Sequence, residues 1–374
     1  MTVYVDHAAT TPVDSRVADR IMQLMVEEFG NAGSRTHELG SAAKRAVTLA
    51  RGQVAAIVDA DPEDVIFTSG ATESNNLALL GLAGGHKSGH LITSAIEHKA
   101  VLEPLEQLAR RGFDVELVPV GVSGRVDAGD LLSRVRPDTI AVSLMHVNNE
   151  TGVEQPIEAV AAGLDPEGPF LHVDAAQGFA KVRGALINRR IDMLSLSGHK
   201  LFGPKGVGAL ILRRRKYDLP PLVPLMYGGG QERGLRPGTT PVPLVAGLAL
   251  AADLAHREHD VRRSRCLAIR EELLTAFHEA GGVVHGDATF GVPHILNFSV
   301  PGLDGEAALL LWKEHLAVSN GSACTSSAYE PSHVLSAMGL PASQLQGAIR
   351  LSWSHETPDQ DWQALLGVLA SAVW

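Results

Sequence analysis

Short apolar runs alternate with amphipathic stretches between residues 64 and 212 of the chain. The runs are rich in valine, isoleucine and leucine and carry few polar residues, which indicates strands that are buried on both faces. Amphipathic stretches at residues 100–110 and 128–135 lie between some of them. This order predicts an α/β protein with a mostly parallel, seven-stranded sheet sandwiched by helices. The predicted strands cover residues 65–67, 91–92, 115–118, 140–144, 170–173, 193–196 and 207–212.

The pattern changes after a long helical segment that ends near residue 258. Helices and strands still alternate beyond this point, but continuous apolar runs become rarer. A chain of 374 residues is also too long for one compact core. We therefore predict a large domain at residues 14–258 and a smaller α/β domain, built from residues 1–13 and 259–374.

The charge balance narrows the range of partners. Lysine and arginine number 32 against 42 aspartates and glutamates, so the net charge is -10, and we expect no direct nucleic-acid partner. The basic run at residues 213–216 is predicted to be a solvated strand end. The longest apolar stretch is too short to span a bilayer, and the first residues lack the features of a signal peptide. We expect a cytoplasmic protein without membrane contact.

The chain has two cysteines, Cys266 and Cys324, which excludes a disulfide framework and a multi-cysteine zinc site. Cys266 lies in a helical pattern and is predicted to pack in a core. Cys324 is surrounded by small residues, which favours a mobile loop and a reactive thiol. His256 and His259 have a spacing that permits metal binding, but a solvated helix face explains them better, and no metal site is predicted.

Polar residues follow the predicted strands at the end where sheets of this class bind ligands. Lys200 lies in a glycine-rich turn after one strand, where its amine is suited to form a Schiff base with an aldehyde cofactor. Asp174 follows another strand, and a carboxylate there suits the ring nitrogen of pyridoxal 5'-phosphate. Gln177 is predicted to bond the ring hydroxyl. Lys205 is the competing lysine, and it is interpreted as a loop charge.

The phosphate of such a cofactor needs donors, and the chain offers a helix start directly after Gly70. Free N–H groups at Ala71 and Thr72, together with the helix dipole, favour an anion. Ser197 and His199 are predicted to add side-chain donors. His98 follows a further strand and is predicted to cover the ring and move protons.

Five segments, in this order, resemble the cysteine desulfurase family, which belongs to the class V aminotransferase group of fold-type I pyridoxal-phosphate enzymes. The resemblance extends from Val5 to about Pro358, and residues 330–335 (Glu-Pro-Ser-His-Val-Leu) fit the long-loop branch of the family. The segments are Ser-Gly-Ala-Thr-Glu-Ser at 69–74, Glu-His-Lys-Ala at 97–100, His-Val-Asn-Asn-Glu-Thr-Gly at 146–152, His-Val-Asp-Ala-Ala-Gln at 172–177 and Ser-Gly-His-Lys at 197–200.

The resemblance implies that Lys200 binds the cofactor and removes the α-proton of L-cysteine, while Cys324 takes the sulfur as a persulfide. It implies that Arg350 binds the substrate carboxylate. Thr239 matches a threonine that reaches the phosphate of the other subunit, which implies an obligate homodimer. The other contacts that it implies with cofactor or substrate are His98, Thr72, Asn149, Asp174, Gln177, Ser197 and His199. A sulfur-acceptor protein, either an iron–sulfur scaffold or a thiolation enzyme, is the implied partner.

Departures from the family pattern occur at His7, Asn320 and His355, and the chain stops at Trp374. Many relatives continue with a tail that contacts the iron–sulfur scaffold, so transfer RNA or DNA thiolation is an equal expectation for the pathway. Three alternatives stay open from the sequence. They are a different pyridoxal-phosphate reaction such as transamination or selenocysteine cleavage, a non-catalytic sulfur-relay subunit, and the metal site at the two histidines.

Overall fold

The computed structural model describes residues 2–319 and 331–370 of the chain. Within these ranges the helices are α1 Ser15–Val26, α2 Glu38–Ala56, α3 Ala71–Ala83, α4 Lys99–Arg110, α5 Ala128–Ser133, α6 Ile157–Gly163, α7 Val242–Arg257, α8 His259–Glu279, α9 Gly305–Trp312, α10 His333–Ala337, α11 Ala342–Gln346 and α12 Trp362–Ala370. The strands are β1 Val3–Tyr4, β2 Val65–Thr68, β3 His90–Ser94, β4 Asp114–Val118, β5 Thr139–Met145, β6 Phe170–Asp174, β7 Met193–Ser197, β8 Gly208–Leu212, β9 Val283–Val284, β10 Ile295–Ser299, β11 Leu316–Ala317 and β12 Ile349–Ser352.

The central sheet has seven strands in the order β2-β8-β7-β6-β5-β3-β4. Strands β3 to β7 pair in parallel, and β8 is antiparallel to both of its neighbours. The predicted fold class is therefore confirmed. Each predicted strand overlaps an observed one, and six of the seven are almost entirely buried, as strands that appear in the sequence as apolar runs should be. The expectation of burial is wrong for β4, which lies at the edge of the sheet and leaves Leu117 exposed.

Both faces of this sheet are covered by helices, and alternate side chains of each strand enter different cores. In β8, Ile211 packs with residues of α2 and α7, whereas Leu210 packs with residues of α3 and α4. This alternation is the two-residue period of a strand. The helices on the two faces and the sheet between them form three layers, α/β/α. The carboxyl ends of the parallel strands all lie at one edge of the sheet.

A second hydrophobic core contains Val5 together with residues of α8, β10, β12 and α12. Around it, β10 pairs with β9 and β12 in an antiparallel sheet, and β1 pairs with β11 in parallel. The indole of Trp353 donates to the carbonyl of Cys266 at 3.0 Å, which ties β12 to α8. We keep the division into residues 14–258 and 1–13 with 259–374 as a proposal that this packing supports.

Two predictions about surface residues are wrong. The basic run at 213–216 is not a simple solvated strand end, because Arg213 is buried and donates to the carbonyls of Val58 at 2.6 Å and Leu186 at 2.7 Å. Likewise, His259 is buried rather than on a solvated helix face, and its Nε2 lies 3.2 Å from the carbonyl of Lys181. In both cases backbone carbonyls of distant segments satisfy the polar group, and no local pattern indicates such contacts.

None of the helices described is both long enough and apolar enough to cross a membrane. The same ranges contain no group of three or more histidine, cysteine, aspartate or glutamate side chains placed to hold a metal ion.

Candidate active site

A cavity of about 630 Å³ opens at the carboxyl ends of the parallel strands. Its volume falls within the range of ligand pockets, roughly 300–1,000 Å³. The lining brings together ten of the twelve residues predicted for the site. They are Ala71, Thr72, His98, Asn149, Asp174, Gln177, Ser197, His199, Lys200 and Arg350.

The strands and helices explain why these side chains meet. Asp174 is the last residue of β6 and Ser197 the last of β7, two neighbouring parallel strands. A short 3-10 turn at Gly198–Lys200 follows β7 directly. Parallel strands end at the same edge of a sheet, so residues that are distant in sequence share one cavity.

Lys200 is held by the backbone of the first residues of the chain. Its Nζ donates to the carbonyl of Ala8 at 2.6 Å and to that of Ala9 at 2.7 Å. Two fixed acceptors place the amine at the cavity wall. The sequence did not predict this contact, because carbonyl groups are the same in every residue type and a separation of about 190 positions leaves no pattern.

Asp174 is buried, and its carboxylate accepts two hydrogen bonds. Oδ2 accepts from the amide of Asn75 at 2.6 Å, and Oδ1 accepts from the backbone N–H of Ala176 at 2.9 Å. The two donors hold the carboxylate in one orientation at the cavity wall. Asn75 was missed from the sequence, although its position four residues after Ala71 places both on the same side of α3.

An anion site lies where α3 begins. Gly70 precedes the helix and supplies no side-chain cap, which leaves the N–H groups of the first turn for a ligand. Gly70 has φ +155°, a conformation that favours glycine. A Cβ on Gly208, in β8, would lie 2.6 Å from the Cα of Gly70, so glycine there permits the close approach of α3 to the sheet.

His199 contributes a neutral imidazole to the same end of the cavity. Burial, followed by the positive charge of Lys200, lowers the pKa of His199 to about 4. Its Nδ1 lies 3.2 Å from the hydroxyl of Thr10, and Ser197 is buried beside it. The two side chains offer hydrogen bonds to an anion without adding charge.

His98 caps α4, and its Nδ1 accepts from the backbone N–H of Ala100 at 3.0 Å. Burial lowers the pKa of His98, while the charge of Asp174 opposes the shift. The ring is therefore neutral near pH 7, with Nδ1 as an acceptor and the proton on Nε2. This tautomer makes Nε2 the atom that can give or take a proton in the cavity.

Arg350 is buried and fixed by two contacts. Its Nη1 donates to the carbonyl of Asn149 at 3.0 Å, and its Nη2 lies 2.7 Å from Oδ1 of Asp6. The guanidinium is thus held in one plane at the cavity wall, which suits two-point binding of a carboxylate. The pairing with Asp6 was not predicted, although Asp6 also lines the cavity.

Two predicted residues are not placed in the cavity. Thr239 is exposed in the segment before α7 and does not line it. Cys324 lies outside the described residues, as do Asn320 and Trp374. Ser319, which directly precedes that part of the chain, lines the cavity. The other cysteine, Cys266, is buried in the second core, and burial raises the pKa of its thiol to about 12.

Comparison with known proteins identifies the family. The model of the family "Aminotransferase class-V" matches residues 3–365. The cysteine desulfurase IscS of Pectobacterium carotovorum subsp. carotovorum is 42% identical over 369 residues, which are 96% of this chain and 90% of that relative.

Two solved structures have the same fold. DndA from Streptomyces lividans is 52% identical, with a TM-score of 0.81 over 92% of this chain and 98% of its own. SspA in complex with cysteine is 37% identical, with a TM-score of 0.84 over 94% of this chain and 98% of its own. The chain therefore belongs to the class-V aminotransferase family and, within it, to the cysteine desulfurases that its motifs predicted.

Proposed function

We propose that the chain is a pyridoxal-phosphate enzyme that converts L-cysteine to L-alanine and carries the released sulfur as a persulfide on Cys324. The observation that carries this proposal is the meeting of four chemical features in one cavity. They are the amine of Lys200, the hydrogen-bonded carboxylate of Asp174, the start of helix α3, which favours an anion, and the guanidinium of Arg350. Relatives that are cysteine desulfurases support the choice of reaction, as does the cysteine held by the similar SspA structure.

The donor set fits pyridoxal 5'-phosphate. The first-turn N–H groups at Ala71 and Thr72, with Ser197 and His199, would hold the phosphate. Asp174 would hold the ring nitrogen, which carries a proton and needs a negative partner. The other contacts would come from Gln177 and Asn149 at the ring hydroxyl, His98 over the ring and Lys200 at the aldehyde. When bound, the cofactor supplies a ring that accepts electrons from the substrate's α-carbon.

The chain's own residues handle the protons. Lys200 would take the proton from the α-carbon of the substrate, and the carbonyls of Ala8 and Ala9 direct its amine. His98 is placed to exchange a proton with the substrate thiol through Nε2. Arg350 binds the α-carboxylate, and Asp6 keeps the guanidinium in its plane.

The sulfur transfer balances without an added oxidant. The substrate loses its Cβ–S bond, and a bond forms between that sulfur and Sγ of Cys324. Cβ gains a hydrogen and leaves as the methyl group of alanine, so the carbon is reduced and the sulfur is oxidised to the persulfide level. Ser319 lines the cavity. Cys324 follows Ser319 by five positions in the sequence.

The partners that we propose are a second copy of the chain and a sulfur-acceptor protein. Exposed apolar side chains at the end of α1 and just after it, among them Met22, Val26 and Phe29, support a homodimer. In a dimer, Thr239 would contact the cofactor phosphate of the other subunit. The acceptor would take the persulfide sulfur for cluster assembly or thiolation.

The test is the release of alanine and sulfide from L-cysteine in the presence of a thiol reductant. We expect Cys324→Ala to lose both products while the yellow cofactor absorption remains, and Cys266→Ala to keep both. Equal release from the wild type and Cys324→Ala would contradict the persulfide mechanism. A purified chain without cofactor absorption, even after incubation with pyridoxal 5'-phosphate, would contradict the cofactor assignment.

A further inference from the structure

A second cavity, of about 60 Å³, adjoins the candidate active site, and Lys200 lines both. Its walls combine residues packed on one face of the central sheet, such as Leu201 and Ala255, with residues of the second core, such as Cys266 and Trp353. One water molecule needs roughly 10–15 Å³ of such space. The small cavity between the two cores therefore has room for an ion of a few atoms.

The lining of this cavity carries positive charge that is not matched by negative charge. Within residues 2–319 and 331–370, the lining contains two lysines and two arginines but no aspartate or glutamate. Nζ of Lys181 donates to Oε1 of Gln177 at 3.4 Å, which is a long bond to a neutral group. Because cations inside a protein are normally paired with an anion, a bound anion would supply what the lining lacks.

Two carboxylates that lie just outside the lining are paired with arginines. Glu258 is bonded to Arg262 at 2.7 Å and to Arg16 at 2.6 Å. Asp14 is bonded to Arg16 at 2.7 Å and lies 3.8 Å from Arg262. Arg262, which lines the cavity, is thus already neutralised. The charge of Lys181 is left for another partner.

Two histidines of the lining have unpaired ring nitrogens. His7 and His294 are each 8% exposed, and both line the cavity. In the part of the chain that the structure describes, Nδ1 of His7 and Nε2 of His294 have no hydrogen-bond partner. Buried polar atoms rarely lack one. A neutral imidazole carries one N–H, and these rings are free to direct that proton to a ligand.

The rings that face the cavity are neutral at neutral pH. Burial, followed by the charge of Lys181, lowers the pKa of His7 to about 4 and that of His294 well below its ordinary value. Burial also lowers the pKa of His355 to about 4 and raises that of the Cys266 thiol to about 12. These groups can therefore donate hydrogen bonds without adding or removing charge between pH ~6 and ~8.

We propose that the small cavity is a binding site for a small monovalent anion such as a halide, held by the ammonium of Lys181 and the imidazoles of His7 and His294. The ammonium supplies the opposite charge, and hydrogen bonds to an ion are stronger than those between neutral groups. The same positive lining repels metal cations. The site goes beyond the proposed function, because the anion takes no part in the transfer of sulfur.

Binding of the anion should depend on the protonation of Lys181. Burial, followed by the charge of Lys200, lowers the pKa of Lys181 to about 7. An anion beside the amine favours its charged form, and the charged form in turn favours the anion. The charged fraction falls about tenfold between pH ~6 and ~8, and the affinity should fall with it. His259, also in the lining, is held by Asp260 at 2.9 Å and by the carbonyl of Lys181 at 3.2 Å.

The test measures halide binding in solution, from the broadening of the chloride NMR line and its reversal by bromide. The full-length chain is kept in excess pyridoxal 5'-phosphate, so that the larger cavity is not available to halide. Diffraction from crystals soaked in bromide locates the ion. The variants are Lys181→Met, Lys181→Gln, Lys181→Arg and the control Lys205→Met, which removes an exposed lysine that lines the larger cavity.

We expect saturable broadening by the wild type, about tenfold tighter at pH ~6 than at pH ~8, and bromide density beside Lys181. Lys181→Met and Lys181→Gln should bind at least about tenfold more weakly at pH ~6, because they lose a hydrogen bond from a charged group. Lys181→Arg keeps the charge and should keep the binding. Lys205→Met should bind as the wild type does, because solvent screens an exposed charge.

The proposal would be overturned by wild-type protein that broadens the line no more than Lys181→Met, or by an equal loss of binding in Lys205→Met. Bromide density only outside the small cavity would also overturn it, as would an affinity independent of pH. Should Lys181→Met fail to fold, Lys181→Gln gives the same comparison with a polar side chain. Failure of the proposed function is recognised separately, because no alanine then forms from L-cysteine while the Lys181 variants still report on the small cavity.

Discussion

The contact between Asn75 and Asp174 provides a quantitative test of the cavity. The amide of Asn75 is fully buried and donates to the Asp174 carboxylate at 2.6 Å. The substitution Asn75→Asp keeps the shape of the side chain and replaces the donor with a second carboxyl group. Two carboxylates at this distance cannot both remain ionised, so they must share a proton.

The free energy needed to keep that carboxyl group protonated determines how much stability the variant loses. Two ionised groups this close repel by roughly 6 kcal/mol at an effective dielectric constant of about 20. Keeping the introduced carboxyl protonated costs less, about 1.4 kcal/mol for each pH unit above its unfolded pKa of ~3.9. The variant should therefore lose about 1.5 kcal/mol of unfolding free energy at pH ~5 and about 4 kcal/mol at pH ~7.

The direction of the pH dependence follows from the difference in bound protons between the native and unfolded states. The native state of the variant holds a proton that the unfolded state releases, so its stability falls as the pH rises. Urea unfolding of the wild type, Asn75→Asp and Asn76→Asp at both pH values measures this. Asn76 is the matched control, because it is only half-buried on the same helix and its amide donates to the carbonyl of Thr72 rather than to a carboxylate. A pH dependence shared by both variants, or absent from Asn75→Asp, would refute the argument.

Three further predictions follow from other buried groups. Glu232→Gln should lower the free energy of unfolding by about 1.5–3 kcal/mol, measured by urea titration, because the buried carboxylate accepts from the Phe67 N–H and pairs with Arg51. Burial raises the pKa of Glu97 to about 8. The protonated side chain should therefore stabilise the fold less as the pH rises from ~5 to ~8. The melting temperature of the wild type should fall over this pH range because of Glu97, and that of Glu97→Gln should lack this decrease. Arg350→Lys should raise KM for L-cysteine roughly tenfold or more in steady-state assays, with kcat changed less. The reason is that a lysine ammonium cannot make the two parallel hydrogen bonds that a guanidinium makes with a carboxylate.

The central sheet could be predicted because its strands, apart from the largely exposed edge strand β4, are buried on both faces. Each strand then appears in the sequence as a run of apolar residues, and the residue after the run lies at the ligand edge. Asp174 and Lys200 were found in this way, from their positions together with the chemistry of their side chains. The ends of the strands differ by only a residue or two, as in β8, which begins at Gly208 rather than residue 207.

The contacts that hold the site in place could not be predicted. Lys200 is positioned by the carbonyls of Ala8 and Ala9, groups that every residue carries. Arg350 is paired with Asp6 across 344 positions, and nothing in either local sequence indicates the other. Buried polar groups find partners wherever the fold places them, so their pairing depends on tertiary structure.

The most direct test of the account is to find which cysteine carries the sulfur. The full-length chain is mixed with L-cysteine without reductant, alkylated and digested, and the masses of its two cysteine peptides are compared. We predict an extra sulfur atom on the peptide with Cys324 and none on that with Cys266, in an amount equal to the alanine formed. Alanine formed with no extra sulfur on Cys324, or with the sulfur on Cys266, would contradict the proposed mechanism.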